Sequence, residues 1–87
     1  DDLLRARIIE ALMCDFRVSR AELLDRFAIG EAALGAMFRA AADHFGDMVR
    51  LDDFGLSIPE RGRPLTRIIA RMFDAYDLSK AGHSSAI

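Results

Sequence analysis

The sequence predicts one small domain of mostly helical α+β class. The chain has 87 residues, 52% of them hydrophobic, and chains of this size seldom hold more than one core. Over most of its length, apolar residues recur at three- and four-residue spacing, which is typical of amphipathic helices. One short stretch instead alternates apolar and polar residues around acidic residues and a glycine, which is typical of a hairpin.

Three helices are predicted in the first half of the chain, and sequence signals mark the start of the second and the end of the third. Ser19 and Glu22 have the spacing of a capping box, in which both side chains satisfy free backbone N–H groups at a helix start. Gly46 follows the last apolar residue of the third helix and predicts its end. The predicted spans are about 2–14, 20–27 and 31–45.

A β-hairpin and a fourth helix are predicted in the second half. Residues 48–51 and 56–58 are short runs on either side of Asp52-Asp53-Phe54-Gly55, a sequence suited to a tight reversal. Pro64 predicts the start of the fourth helix, because its missing N–H costs nothing at a first helical position. The apolar face of this helix is predicted to consist of Leu65, Ile68, Ile69, Met72, Phe73 and Tyr76, which recur at helical spacing.

Three helices, a hairpin and a further helix, in this order, predict a winged-helix-like domain over residues 1–78. Residues 79–87 are small and polar, which predicts a flexible C-terminal tail.

The charge and the residue types disfavour several classes of function. The formal net charge is −2, and Arg39 is the only lasting positive charge of the third helix, so we expect no nucleic-acid partner. Cys14 is the single cysteine, which excludes an internal disulfide and a multi-cysteine metal site, and we expect its side chain to be buried. No apolar run is long enough for a membrane span, and a cytoplasmic setting is expected. No catalytic constellation is visible, which favours a non-catalytic module.

Arg63, Arg67 and Arg71 are spaced by four residues, so we predict one positively charged stripe opposite the apolar face of the fourth helix. Two interpretations remain open. The stripe is either a solvated helix face or a docking surface for carboxylates of a partner domain or ligand.

Two blocks of sequence and the chain's ending resemble a known family. The blocks and the ending are Cys14-Asp15-Phe16-Arg17 at the end of the first helix, Gly62-Arg63-Pro64-Leu65-Thr66-Arg67 leading into Phe73-Asp74-Ala75-Tyr76, and Ser84-Ser85-Ala86-Ile87. Together they resemble the C-terminal domain of the oxygen-independent coproporphyrinogen III oxidases, which are radical S-adenosylmethionine enzymes. The ending departs from the family at Ser85, where an arginine is usual.

The resemblance implies that the chain is an accessory part of an enzyme that converts coproporphyrinogen III to protoporphyrinogen IX in haem biosynthesis. In that family, an N-terminal radical S-adenosylmethionine barrel of the same chain binds a [4Fe–4S] cluster and S-adenosylmethionine. None of the cluster-binding positions is present here, so no catalytic, cofactor-binding or metal residue is carried over. We expect the domain to dock on the barrel, to help cover the substrate cleft and to be inactive alone.

Arg17, Arg63 and Arg67 match the family blocks and are therefore the candidate docking or substrate-side residues; Arg71 does not clearly match. Two alternatives remain. A stand-alone winged-helix binding module would need a basic patch on the third helix or hairpin, where Asp52-Asp53 argues against it. The other alternative is the equivalent domain of a haem-handling relative of the same superfamily.

Overall fold

In the computed structural model, which describes residues 2–75, four α-helices pack with a three-stranded antiparallel sheet. The mostly helical α+β class is thereby confirmed, as is the order of three helices, a hairpin and a further helix. The helices are α1 (Asp2–Asp15), α2 (Arg20–Arg26), α3 (Glu31–Phe45) and α4 (Thr66–Ala75). The strands are β1 (Arg17–Ser19), β2 (Arg50–Leu51) and β3 (Gly55–Ser57), and two 3₁₀ turns cover Gly46–Met48 and Glu60–Leu65.

β3 is the central strand of the sheet, which has the order β1-β3-β2. The predicted hairpin supplies β2 and β3, whereas β1 was not predicted. Leu56 of β3 lies opposite both Val18 of β1 and Leu51 of β2. Val18 and Leu56 are buried and Leu51 is half-buried, so this row of side chains faces the core.

The predicted helix-end signals act largely as expected. The Ser19 hydroxyl accepts a hydrogen bond from the Glu22 N–H at 3.2 Å and caps α2. The Glu22 carboxylate does not complete the capping box, because it binds Arg7 of α1 instead. Gly46 ends α3 with a φ of 57°, and its N–H donates to the carbonyl of Ala42.

The core takes side chains from every helix and from the sheet. Phe38 of α3 and Phe73 of α4 are fully buried and meet edge to face, with ring centroids 6.3 Å apart. Burial of each large apolar side chain stabilises the fold by about 1.5–3 kcal/mol. The other large, fully buried side chains are Ile8, Leu12, Val18, Leu23, Leu34, Met37, Leu56, Ile58 and Ile69.

The prediction that α4 begins at Pro64 is wrong. Pro64 lies inside the 3₁₀ turn Glu60–Leu65, which begins earlier because the Gly62 N–H donates to the carbonyl of Pro59 at 2.8 Å. α4 begins at Thr66, whose hydroxyl donates to the Arg63 carbonyl at 2.7 Å.

Two side chains assigned to apolar surroundings are exposed. Ile68 was placed on the apolar face of the fourth helix, but it is 57% exposed because Ile69, Ala70 and Phe73 take the buried positions of α4. Cys14 was expected to be buried and is exposed, because α1 turns Ala11 and Leu12 toward the core in its last turns, and other residues toward solvent.

Residue 1 and residues 76–87 lie outside the described part of the chain, so the predicted tail at 79–87 and the family-like positions Tyr76 and 84–87 lie outside it too. None of the helices within residues 2–75 has the length and apolar character needed to cross a bilayer.

Gly62 is the glycine on which the second family-like block depends sterically. A Cβ at this buried position would collide with the carbonyl oxygen of Met48 and would lie 3.1 Å from the Cγ2 atom of Ile58. Gly62→Ala should therefore lower the free energy of unfolding by about 1–3 kcal/mol, measured by urea titration of circular dichroism.

Gly35→Ala is the matched control, because nothing lies within 4 Å of a Cβ at this position of α3. It should be neutral or stabilise by up to about 1 kcal/mol through helix propensity. Equal losses in both variants would contradict the steric role of Gly62.

Candidate functional site

Two of the three candidate arginines lie over phenylalanine rings. The guanidinium carbon of Arg17 is 4.2 Å from the ring centroid of Phe54, and that of Arg63 is 4.5 Å from the ring centroid of Phe16. Such cation–π contacts contribute roughly 0.5–1 kcal/mol at exposed sites. They restrain each guanidinium group but leave its N–H groups available for an anion.

Phe16, which supports Arg63, has an unusual backbone conformation. Its φ is 59°, in the left-handed region where a helix commonly ends on glycine, at a cost of roughly 1–2 kcal/mol for a residue with a side chain. Its N–H donates to Leu12 at 3.1 Å, and its carbonyl accepts from Ile58 at 2.7 Å. The Phe16–Arg63 contact thus joins the two family-like blocks in space.

The sheet places a second arginine on the same face as Arg17, with β3 between them. Ser57 of β3 lies opposite Arg17 of β1 on one side and Arg50 of β2 on the other. These three residues therefore share one face of the sheet, on the side away from the buried row, and both arginines are exposed. We call Arg17, Ser57 and Arg50 the arginine row.

The arginine row has the donors that an anion requires. Within residues 2–75, neither Arg17 nor Arg50 has a carboxylate partner within 4.0 Å. Arg17 and Arg50 lie on the two outer strands with β3 between them, so their side chains flank Ser57 from opposite sides. Guanidinium groups flanking the hydroxyl of Ser57 are suited to a carboxylate. Arg50 was missed in the sequence analysis, because only the strand register reveals it.

Arg67, the third candidate, lies on a different surface. With Arg71 it lines an open groove of about 410 Å³ between α1 and α4, which we call the α1–α4 groove. The predicted stripe of three arginines is therefore wrong in part: Arg63 belongs to the 3₁₀ turn and faces Phe16, while Arg67 and Arg71 share the groove. The lining consists of Ile9, Met13, Arg67, Ile68, Ala70, Arg71 and Asp74.

The hairpin tip and the outer face of α3 are less suited to binding an anion. The Asp52 carboxylate accepts hydrogen bonds from the N–H groups of Phe54 at 3.0 Å and Gly55 at 3.3 Å, so it shapes the turn. α3 exposes small residues, with Arg39 at the rim of a shallow depression.

The clearest electrostatic interaction is structural. Glu22 of α2 accepts hydrogen bonds from Arg7 of α1 at 2.6 and 3.1 Å and from Arg26 at 2.9 Å. The hydrogen bond from Arg7 lowers the pKa of Glu22, and the bond to Glu22 raises the pKa of Arg7. The pair joins α1 to α2, and both groups are charged at neutral pH.

The side chains do not fit an iron–sulfur cluster. Such a cluster is held mainly by cysteine thiolates, and the sequence contains only Cys14. In residues 2–75, no three His, Cys, Asp or Glu side chains come together as a metal site. No step of a reaction is therefore assigned to this chain through such a group.

Comparison with known proteins confirms the resemblance to oxygen-independent coproporphyrinogen III oxidases. A protein of that name from Paracoccus denitrificans is 51% identical over 87 residues, which is 100% of this chain and 19% of the relative. One from Cereibacter sphaeroides is 51% identical over 79 residues, covering 91% of this chain and 18% of the relative. One from Synechocystis is 38% identical over 90 residues, covering 93% and 19%.

The chain thus spans about a fifth of the length of the curated relatives that it matches. No family model matches the chain, and no solved structure matches it.

The Glu22–Arg7 pair predicts a pH-dependent loss of stability. Because the folded state lowers the pKa of Glu22 from its ordinary value of 4.5, its stabilising effect is complete above that pH and disappears as the pH falls through the lowered pKa. Glu22→Gln should therefore lower the Tm at about pH 7, and the difference from the wild type should narrow toward about pH 3.

Glu10→Gln is the control, because Glu10 also binds Arg7 but is 65% exposed, against 27% for Glu22. Its effect on the Tm should be smaller at every pH. A difference between Glu22→Gln and the wild type that stays constant across this pH range would contradict the assignment.

Proposed function

We propose that this chain is the accessory C-terminal domain of an oxygen-independent coproporphyrinogen III oxidase. The observation that supports it is the match of 51% identity along all 87 residues to a protein of that name, of which the chain spans 19%. A segment that aligns from end to end, with its own buried core, is expected to be a structural unit of the longer enzyme.

The reaction itself belongs to the remainder of the parent enzyme. That reaction is the oxidative decarboxylation of two propionate side chains, which gives protoporphyrinogen IX in cytoplasmic haem biosynthesis. An N-terminal radical S-adenosylmethionine barrel with its [4Fe–4S] cluster would supply the chemistry. The described residues contribute binding groups, and their winged-helix-like arrangement, with one extra strand beside the hairpin, presents those groups on a rigid sheet.

The arginine row and Arg63 are the groups that would act toward the barrel and the substrate cleft. The row has two exposed guanidinium groups without a carboxylate partner in residues 2–75, and Arg17 and Arg63 are restrained by aromatic rings. A substrate with several carboxylates, or an acidic rim of the cleft, matches these donors in charge and hydrogen bonding.

The test is steady-state kinetics of the full-length parent enzyme with coproporphyrinogen III. Arg17→Glu combined with Arg50→Glu should raise KM about tenfold or more, since each lost charge-assisted hydrogen bond contributes about 1.5–3 kcal/mol. If the row contacts the barrel instead, KM should change little and the thermal unfolding temperature of the full-length enzyme should fall. Either result supports the proposal.

Arg39→Glu is the matched control, because it reverses an exposed arginine on α3, away from the arginine row. It should leave KM and thermal unfolding unchanged. Unchanged kinetics and unchanged unfolding in the double variant would overturn the role of the row. A full-length parent that binds haem and does not turn over coproporphyrinogen III would overturn the proposed activity.

A further inference from the structure

The α1–α4 groove exposes large apolar side chains from two neighbouring helices. Ile68 of α4 is 57% exposed and Met13 of α1 is 41% exposed, and both line the groove beside the half-buried Ile9. These are two of the four large hydrophobic side chains that are exposed within residues 2–75. An apolar surface of this kind, bordered by charged residues, indicates an interaction site.

The charges of the groove are mostly positive. Arg67 and Arg71 lie one helical turn apart on α4, and Asp74 is the single acidic side chain of the lining. Within the described part of the chain, neither arginine forms an ion pair within 4.0 Å, although Asp74 is three residues from Arg71. A partner with carboxylates would therefore complement the groove.

A second copy of this chain does not fit the groove well. If two copies met groove to groove, Arg67 and Arg71 of one copy would face the same arginines of the other, because a twofold interface presents the same patch on both sides. Juxtaposed like charges oppose such a contact. A different surface that carries carboxylates matches the groove better. The chain spans only 19% of the Paracoccus relative, so most of a parent chain of that length lies outside these 87 residues.

We infer that the α1–α4 groove holds an amphipathic, acidic segment of the parent chain from outside these 87 residues. An aliphatic side chain of that segment lies between Met13 and Ile68, and its carboxylates pair with Arg67 and Arg71. The inference rests on the proposed function, since it names the surface by which the accessory domain attaches. It assigns attachment to the groove, whichever of the barrel and the substrate cleft the arginine row contacts.

Hydroxyl-radical footprinting of the full-length parent enzyme tests the occupant directly. The oxidation rates of Met13 and Ile68 are measured by mass spectrometry and divided by their rates in the urea-denatured enzyme. In the wild type, both normalised rates should be close to that of the fully buried Met37. In the double variant Arg67→Glu with Arg71→Glu, both should rise about fivefold or more as the segment is repelled.

Three controls keep the result interpretable. Met37 should stay protected in the double variant, which shows that the core is intact, and Arg67→Gln with Arg71→Gln should give an intermediate rise because it removes the attraction without adding repulsion. Arg39→Glu should leave the rates of Met13 and Ile68 unchanged.

The inference is overturned if Met13 and Ile68 of the wild-type enzyme are oxidised as fast as in the denatured enzyme. It is also overturned if their protection appears only at high protein concentration together with a dimer, since the occupant would then be a second copy. The readout does not depend on turnover. Protection at the groove with no conversion of coproporphyrinogen III would sink the proposed activity and leave the docking surface standing.

Discussion

The pairing of β3 with both β1 and β2 is the constraint on which the rest of the structure depends. β3 has only three residues, and its register sends Leu56 into the core and Ser57 to the opposite face. Side chains alternate across a strand, so a shift of β3 by one residue would turn Leu56 to solvent and Ser57 toward the core. The continuation of β3 also binds the end of α1, because the Ile58 N–H donates to Phe16. One short strand thus fixes the core and the arginine row.

Much of the helical architecture could be predicted from the sequence, because helix periodicity and helix-end signals are local. Ser19 and Gly46 act at the ends of α2 and α3 as their positions predict. β1 could not be predicted, since three residues are too few for an alternating pattern and the partner strand lies far along the chain. The start of α4 was misplaced because the Gly62 N–H closes a 3₁₀ turn on the Pro59 carbonyl before Pro64, and no sequence signal marked that turn.

The candidate site was predicted in part for the same reason. Family-like motifs supplied Arg17, Arg63 and Arg67, but a motif does not say which surface each residue occupies. Equal spacing along the chain suggested one stripe, whereas the change from 3₁₀ to α geometry turns Arg63 away from Arg67. Arg50 has no motif, and it becomes visible only once two strand pairings are known. The exposure of Ile68 similarly depends on how α4 rotates against α1.

The left-handed turn at Phe16 has a mechanical consequence. Phe16 is the single residue between α1 and β1, and its N–H and carbonyl both form hydrogen bonds. The orientation of the helix relative to the strand is therefore fixed. α1 forms one wall of the groove, and β1 bears Arg17. If α1 tilts, β1 and the sheet are therefore expected to move with it as one rigid body. Binding of a partner in the α1–α4 groove would therefore also fix the position of the arginine row, because the groove and the row belong to one rigid unit.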